Sequence, residues 1–337
     1  MEKKNKPIVS VCTSVHNTSA LLPRCIESVV NQTYQNIQFV LVNNGSTDNS
    51  EDVMYEYKEN HPERDIVIVR QEDKGLAQGR QSGVNNATGD YILLLDADDY
   101  YTDSHAIERI VDTALKTDAD IVEFCSDRDG RVISSRWTGL MKSEVVLKDY
   151  LQRGGSQMLW LRMYRKSLFT PAVFPETYTN NEDIFAYPCL LYNARSIYYM
   201  KDSFHKYSSD NEVSVMVRMK NDPLFSERYF KAKSKSLLTP QFFENYVGKE
   251  YALKNHEILE GYMANVIMNF LQTSFRGFSW SNKVNKVLSS ISFITKEKML
   301  SFVKNNAYRY SFVGKLLSVV GVRNTCRIIG LRNKLFS

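Results

Sequence analysis

The feature that most constrains this chain is a repeated unit: a short apolar run, a polar loop, then a helical pattern. The runs are "IVSVCT" (residues 8–13), "IQFVLV" (37–42), "IVIVR" (66–70) and "YILLL" (91–95). Each has strand length and little polar alternation, which suits strands buried on both faces. Helical patterns fill the gaps. Thr18 or Ser19 is expected to cap a helix with Pro23 in its early turns and Leu22, Ile26, Val29 and Val30 as its apolar stripe. Glu51 and Asp52 open a second helix, at the end where the helix dipole favours acids. "DKGLAQGRQSGVNNATGD" holds a short third helix ending near Gly89. Ile107, Ile110, Val111, Ala114 and Leu115 recur at helical spacing before a fifth strand at Asp120–Cys125. This alternation predicts βαβ units, an α/β class and a mostly parallel, doubly wound (Rossmann-like) sheet.

In such a sheet, ligands bind beyond the carboxyl ends of the strands. The polar clusters all fall there: Ser14–Asn17 after the first strand, Asn43–Asp48 after the second, Asp73–Lys74 after the third, and Asp96, Asp98 and Asp99 after the fourth. Three carboxylates this close repel one another unless positive charge sits among them. Together the four clusters predict a binding site at one sheet edge.

Composition narrows the function classes. A chain of 337 residues suits two domains, and 43% hydrophobic with 24% charged residues describes a folded protein. "MEKKNKPIVS" lacks the apolar core of a signal peptide, and no run approaches the roughly 18 apolar residues that span a bilayer. The five cysteines are scattered and never form C-x-x-C, against a disulfide frame or a zinc site. These features predict a cytoplasmic protein. The net charge of +5 is concentrated in residues 301–337, which hold seven bases and no acid. Basic charge confined to a tail, with no recognition motif, predicts no nucleic-acid partner.

Five segments, "PIVSVCTSVHN", "CIESVVNQTY", "FVLVNNGSTDNS", "DKGLAQGRQSGVNNATGDYILLLDADD" and "NNEDIFAYPCLLYNA", follow one another over about residues 7–215. In order and spacing they resemble glycosyltransferase family 2, a family of GT-A fold with many bacterial cell-surface polysaccharide enzymes. The resemblance implies an inverting transfer from a UDP-hexose or UDP-N-acetylhexosamine to a glycan or glycoprotein acceptor, assisted by Mn²⁺ or Mg²⁺. "DAD" corresponds to the D-x-D element, with Asp98 as main metal ligand and Asp96 nearer the ribose or assisting through water. His205 stands where some GT-A enzymes carry a third ligand. Ser14, Asn17, Asn44, Asp73, Arg80, Asp96 and Asp98 take the donor-binding positions. Arg80 would neutralise phosphate or fix an aspartate. Asp183 is the expected base, with Glu182 orienting loop or acceptor, and Trp160 either stacks on a sugar or is a core aromatic.

The chain also departs from the pattern. Asn43–Asn44 replace the usual acidic pair, whose second member accepts the uracil N3–H; Asn44 Oδ1 is expected to accept it here. Asp73 replaces an asparagine, and Gln81 follows Arg80 where the family has Asn. A sugar-nucleotide nucleotidyltransferase shares the sheet and the metal but wants a Gly-rich basic loop after the first strand, which "TSVHNTSALLPR" does not offer. A catalytically silent nucleotide-sugar or glycan-binding module is the remaining alternative.

The expected organisation is a GT-A domain over 1–220 and a helical C-terminal domain over 221–337. The first divides into a nucleotide-sugar half (1–125) and an acceptor half (126–220). In the second, Leu253, Ile258, Leu259, Met263, Val266, Ile267 and Phe270 are expected on one packed helical face. Its basic tail suits an anionic membrane surface at the inner face of the membrane, an acidic partner domain, or a dimer contact.

Overall fold

The computed structural model describes residues 6–175, 182–208, 239–262 and 266. The chain forms two compact units, Met1–Leu147 with Ser156–Ser214, and Lys148–Gly155 with Val215–Ser337.

In the first unit the elements run β1 (Val9–Val15), α1 (Leu22–Val30), β2 (Ile37–Asn44), α2 (Ser50–Asn60), β3 (Asp65–Gln71), α3 (Gly75–Asn86) and β4 (Tyr91–Leu94). Then follow β5 (Tyr100–Tyr101), α4 (Ala106–Thr117), β6 (Ile121–Arg128), β7 (Arg131–Ile133), β8 (Gly139–Lys142) and α5 (Ser143–Arg153), the last crossing into the second unit. β9 (Arg162–Arg165), α6 (Glu182–Asn193) and β10 (Ser196–Lys206) complete it. The sheet order is β3-β2-β1-β4-β9-β6-β10-β5, with β7 on β6 and β8 on β10.

The first four long strands pair in parallel, β1 lying between β2 and β4 and β2 between β1 and β3. All eight residues of β2 are buried, as a doubly covered strand requires. The apolar stripe of α1 is buried in the same core as β1, β2 and α4. The sheet is α/β and mostly parallel, as expected, with one element that the periodicity did not reveal. β9 inserts antiparallel between β4 and β6, so the fifth expected strand does not adjoin the fourth. Four residues, "RMYR", are too short to show a period, and Arg162 within them is 1% exposed because its guanidinium pairs with Glu123 at 2.6 Å.

Helix α1 also starts differently. Leu21 is its N-cap with no side-chain cap, and the Thr18 carbonyl accepts the Leu21 and Leu22 N–H groups. Thr18 and Ser19 are spent elsewhere: their own N–H groups bond Ser50 Oγ and Asp48 Oδ2, so loop bracing displaces capping.

In the second unit, α7 (Thr239–Lys254) is interrupted at Gly248, whose φ of +82° no regular helix adopts. Tyr262 packs edge-on to Phe243 at 6.2 Å and lies 6.3 Å from Tyr150. Leu259 and Val266 are buried as expected, but Leu253 is 76% exposed. The chain turns at Asn255, between Leu253 and Ile258, which breaks the single helical face assumed for them. Met263, Ile267, Phe270 and the basic segment 301–337 lie outside the described residues. No helix among the described residues is long and apolar enough to cross a membrane.

A buried polar knot sets how closely β1, β2 and the turn before β4 approach. Ser10 Oγ donates to Gln38 Oε1 at 2.7 Å and accepts the Gly89 N–H at 2.9 Å, while Thr88 N–H also reaches Gln38 Oε1. A Cβ on Gly89 would lie 2.7 Å from Ile8 O and 2.8 Å from Ser10 N, both backbone atoms. Gly89→Ala is therefore expected to cost about 1–3 kcal/mol, read as a lower urea midpoint at unchanged m-value.

Candidate active site

The four polar clusters meet at the carboxyl edge of β1–β4, and hydrogen bonds lace them together. Asn17, held at φ +53°, accepts at Oδ1 from the Thr47 and Asp48 N–H groups at 2.7 and 3.3 Å, and its own N–H bonds Ser46 Oγ. The β1 loop thus braces the β2 loop, and the side chain of Asn17 serves that brace. Ser14 sits where α3 comes closest: a Cβ on Gly79 would lie 2.1 Å from its Oγ. Only glycine admits this approach of helix to strand end.

Asn44 is 2% exposed, and its amide is engaged inside the protein. Its Oδ1 accepts from Gln71 Nε2 at 2.5 Å and from the Lys74 N–H at 3.4 Å. Its Nδ2 donates to Asp73 Oδ1 at 3.3 Å. Both lone pairs of Oδ1 are occupied, so the expectation that Asn44 accepts a base N–H is corrected. Asn43 is likewise turned inward, its Oδ1 taking the Ser46 N–H at 2.9 Å.

The acidic loop between β4 and β5 receives the positive charge its composition demanded. Arg80 of α3 is 6% exposed and reaches Asp96 Oδ1 at 2.5 Å through Nη2, while its Nη1 pairs with Glu182 at the start of α6. Burial opposes the charge on Arg80, yet Asp96 and Glu182 together raise its pKa above the ordinary arginine value. Of the two roles expected for Arg80, fixing an aspartate is the one this geometry displays. The second cation escaped the sequence reading. Arg24 of α1 donates to the Asp98 carbonyl at 3.2 Å and to Ser208 Oγ at 2.7 Å, and lies over the Tyr100 ring at 4.5 Å. An arginine beside Pro23 in an otherwise apolar helix was the available signal.

Asp99 and His205 form the floor of this loop, 1% and 0% exposed. Asp99 Oδ1 accepts the Ser208 N–H at 2.8 Å, and its Oδ2 lies 3.4 Å from His205 Nε2. His205 Nδ1 lies 2.9 Å from Ser126 Oγ, and Trp160 stacks on the imidazole at 4.3 Å. Burial drops His205 to about 3, so the ring is neutral. Burial, with the charges of Asp96 and Asp98, pushes Asp99 up to about 9. Two expectations are corrected here. His205 turns its nitrogens to Asp99 and Ser126, away from a ligand role with Asp96 and Asp98. Trp160 is a buried partner of that imidazole, not an exposed platform for a sugar.

Among the described residues no group of three or more His, Cys, Asp or Glu is assembled to hold a metal ion. The chemistry of the loop nonetheless fits one. Asp99 Oδ2 is a buried oxygen without a hydrogen-bond partner, and its raised pKa reports negative charge in excess of Arg80 and Arg24. Half-buried Asp96 and Asp98 offer carboxylate oxygens, the donors a hard divalent cation prefers.

Asp183 opens α6 beside Glu182 and accepts the Ile184 N–H at 2.9 Å through its own Oδ1. Burial and the neighbouring Glu182 charge raise it to about 7. The Glu182–Arg80–Asp96 bridge therefore ties a carboxylate poised to accept a proton to the acidic loop. Chemically, the edge offers a polar nucleotide-sized border, a carboxylate pair for a cation, and a base.

This arrangement defines a GT-A glycosyltransferase. Residues 10–173 match the family model described as Glycosyl transferase family 2, and this part of the chain belongs to that family. The chain is 28% identical over 243 residues to the uncharacterized glycosyltransferase YibD of Escherichia coli (strain K12), covering 68% of this chain and 69% of that protein. Among the first curated relatives the match spans from 16% to 69% of their length. The fold is shared with S. aureus TarS 1–349 in complex with UDP-GlcNAc, at TM-score 0.61 and 15% identity over 97% of this chain and 89% of that one. It is shared too with the mannosyltransferase PcManGT of Pyrobaculum calidifontis in complex with GDP-Man and Mn²⁺, at TM-score 0.51 and 15% identity over 91% and 87% of the two chains.

Removing Arg80 leaves Glu182 and Asp96 without their shared partner in a buried setting. Arg80→Ala is expected to destabilise the first unit by about 3–5 kcal/mol in chemical denaturation, the scale of breaking a buried ion pair from one side.

Proposed function

We propose that this chain transfers a hexose or N-acetylhexosamine from a UDP-sugar to a hydroxyl of a bacterial surface glycan or glycoprotein, with inversion at the anomeric carbon. The observation that carries this reading is Asp183, a carboxyl raised to about 7 and tied through Glu182 and Arg80 to Asp96. A base for an alcohol nucleophile needs an elevated pKa near the working pH. In the proposed step the acceptor oxygen attacks the anomeric carbon as its bond to the diphosphate oxygen breaks. Asp183 takes the hydroxyl proton, and the bond's electron pair leaves on UDP.

The leaving diphosphate gains charge. Asp96 and Asp98 would hold Mn²⁺ or Mg²⁺, which supplies charge neutralisation at that oxygen when bound. Arg80 keeps Asp96 in place, while Asn17 and Ser14 shape the donor edge. The complexes of TarS with UDP-GlcNAc and of PcManGT with GDP-Man and Mn²⁺ support a nucleotide-sugar donor and a metal. The likeness to YibD supports a glycosyltransferase without naming an acceptor.

Two measurements test the reading. Release of UDP from a panel of UDP-sugars should rise as pH goes from about 6 to 8, because Asp183 must lose its proton to act. A profile flat through this range overturns its role as base. Asp183→Asn should lower kcat by about 10²–10⁴-fold while UDP binding by calorimetry stays within about threefold. Asp98→Ala should abolish the metal-dependent part of UDP binding. If the wild-type protein binds no nucleoside diphosphate, with or without Mn²⁺, the glycosyltransferase reading fails as a whole.

A further inference from the structure

We infer that Asp73, through its Oδ2 alone, is the residue that selects the nucleobase, reading a single imide N–H of the kind uracil presents. The inference rests on the nucleotide-sugar reading above and adds how the base is chosen. The two asparagines ending β2 are closed to a ligand. Asn43 Oδ1 holds the Ser46 N–H, and Asn44 Oδ1 holds Gln71 Nε2 and the Lys74 N–H. What Asn44 does instead is grip Asp73: its Nδ2 donates to Asp73 Oδ1 at 3.3 Å, and the Gly75 N–H donates to the same oxygen at 2.9 Å. Asp73 is exposed, and its Oδ2 makes no hydrogen bond among the described residues. The carboxylate is thus fixed at one oxygen and available at the other.

Its placement is fixed as firmly as its orientation. Gly45, at φ +73°, backs directly onto Asp73, and a Cβ there would lie 2.5 Å from the Asp73 N and 3.0 Å from its Cβ. The β2 loop therefore presses the β3 loop against the site edge, and the accepting group stands one strand over from the end of β2. Asn44, Gln71 and Gly45 act on the base only through Asp73 and are positioning residues.

The chemistry of one available carboxylate oxygen decides among bases. Uracil offers one imide N–H between two carbonyls, which one acceptor satisfies. Cytosine and the Watson–Crick edge of adenine present a ring nitrogen lone pair at that place, so acceptor would face acceptor. Guanine presents two adjacent donors, best met by both oxygens of a carboxylate, and Oδ1 is already committed to Asn44 and Gly75. A charge-assisted hydrogen bond is strong enough to separate these cases by an order of magnitude or more.

The test is calorimetric titration of the full chain, in Mn²⁺ throughout, with UDP, N3-methyl-UDP and CDP, on wild type, Asp73→Ala and Asp73→Asn. Wild type is expected to bind UDP at least about tenfold more tightly than either analogue. Asp73→Ala should bring the three affinities within about threefold of one another. Asp73→Asn, able to turn its amide donor to the ring nitrogen of cytosine, should narrow the UDP to CDP ratio selectively. If wild type prefers UDP and Asp73→Ala keeps that preference, another group reads the base and the inference is overturned while the nucleotide-sugar reading stands. A wild type that binds UDP and its two analogues equally also overturns it. Should wild type bind none of them, both readings fall together. Asp73 lies on the surface, so its variants are expected to keep the wild-type urea midpoint, and a shifted midpoint is scored separately from the affinity ratios.

Discussion

The guanidinium of Arg80 is the interaction on which the functional edge depends. It is buried, it binds Asp96 and Glu182 at once, and those carboxylates belong to elements 86 residues apart in the chain (positions 96 and 182). A charge in this setting is tolerated only because both partners are ionised and in contact. Everything proposed for catalysis inherits its geometry: Asp98 stands two residues beyond one partner, and Asp183 is adjacent to the other. The distance between the metal-side carboxylates and the base is thus set by one side chain on α3, and not by either loop that bears them.

Negative charge at this edge is balanced in layers. Arg80 serves Asp96, Arg24 lies against the Asp98 carbonyl, and His205, held neutral by burial, contributes packing against Trp160 and a nitrogen facing Asp99. What the protein leaves uncompensated is the charge on the outer face, where a cation and a diphosphate would share it. The nucleotide side follows the opposite logic. There the asparagines replace charges and are saturated by internal hydrogen bonds, which concentrates the remaining acceptor capacity in Asp73.

The parallel half of the sheet was legible because buried parallel strands need unbroken apolar runs, and those runs are local in sequence. Polar loops at strand ends were legible for the same reason, and with them Asp96, Asp98 and Asp73. Three things were not. β9 is too short to carry a period. The inward rotation of Asn44 depends on Gln71, which belongs to a neighbouring strand. Arg24 matters only because α1 passes beneath the acidic loop, a contact between positions 74 residues apart (24 and 98). Local pattern reports which groups are polar; only the assembled sheet reports which of them are already spent.

The long strand β10 gives this fold a dependence on the order of synthesis. Its end carries His205, and just beyond it Ser208 donates to Asp99 and accepts from Arg24, so the floor of the acidic loop is made by residues more than a hundred positions downstream of the loop itself. A nascent chain that has emerged through β4 can pair its parallel strands and close the nucleotide-side loops. Its aspartates then stand without the floor that fixes them until β10 threads in beside β6 and meets β5. Competence at this edge arrives late and all at once, so a truncated translation product would keep much of the sheet and none of the completed acidic loop.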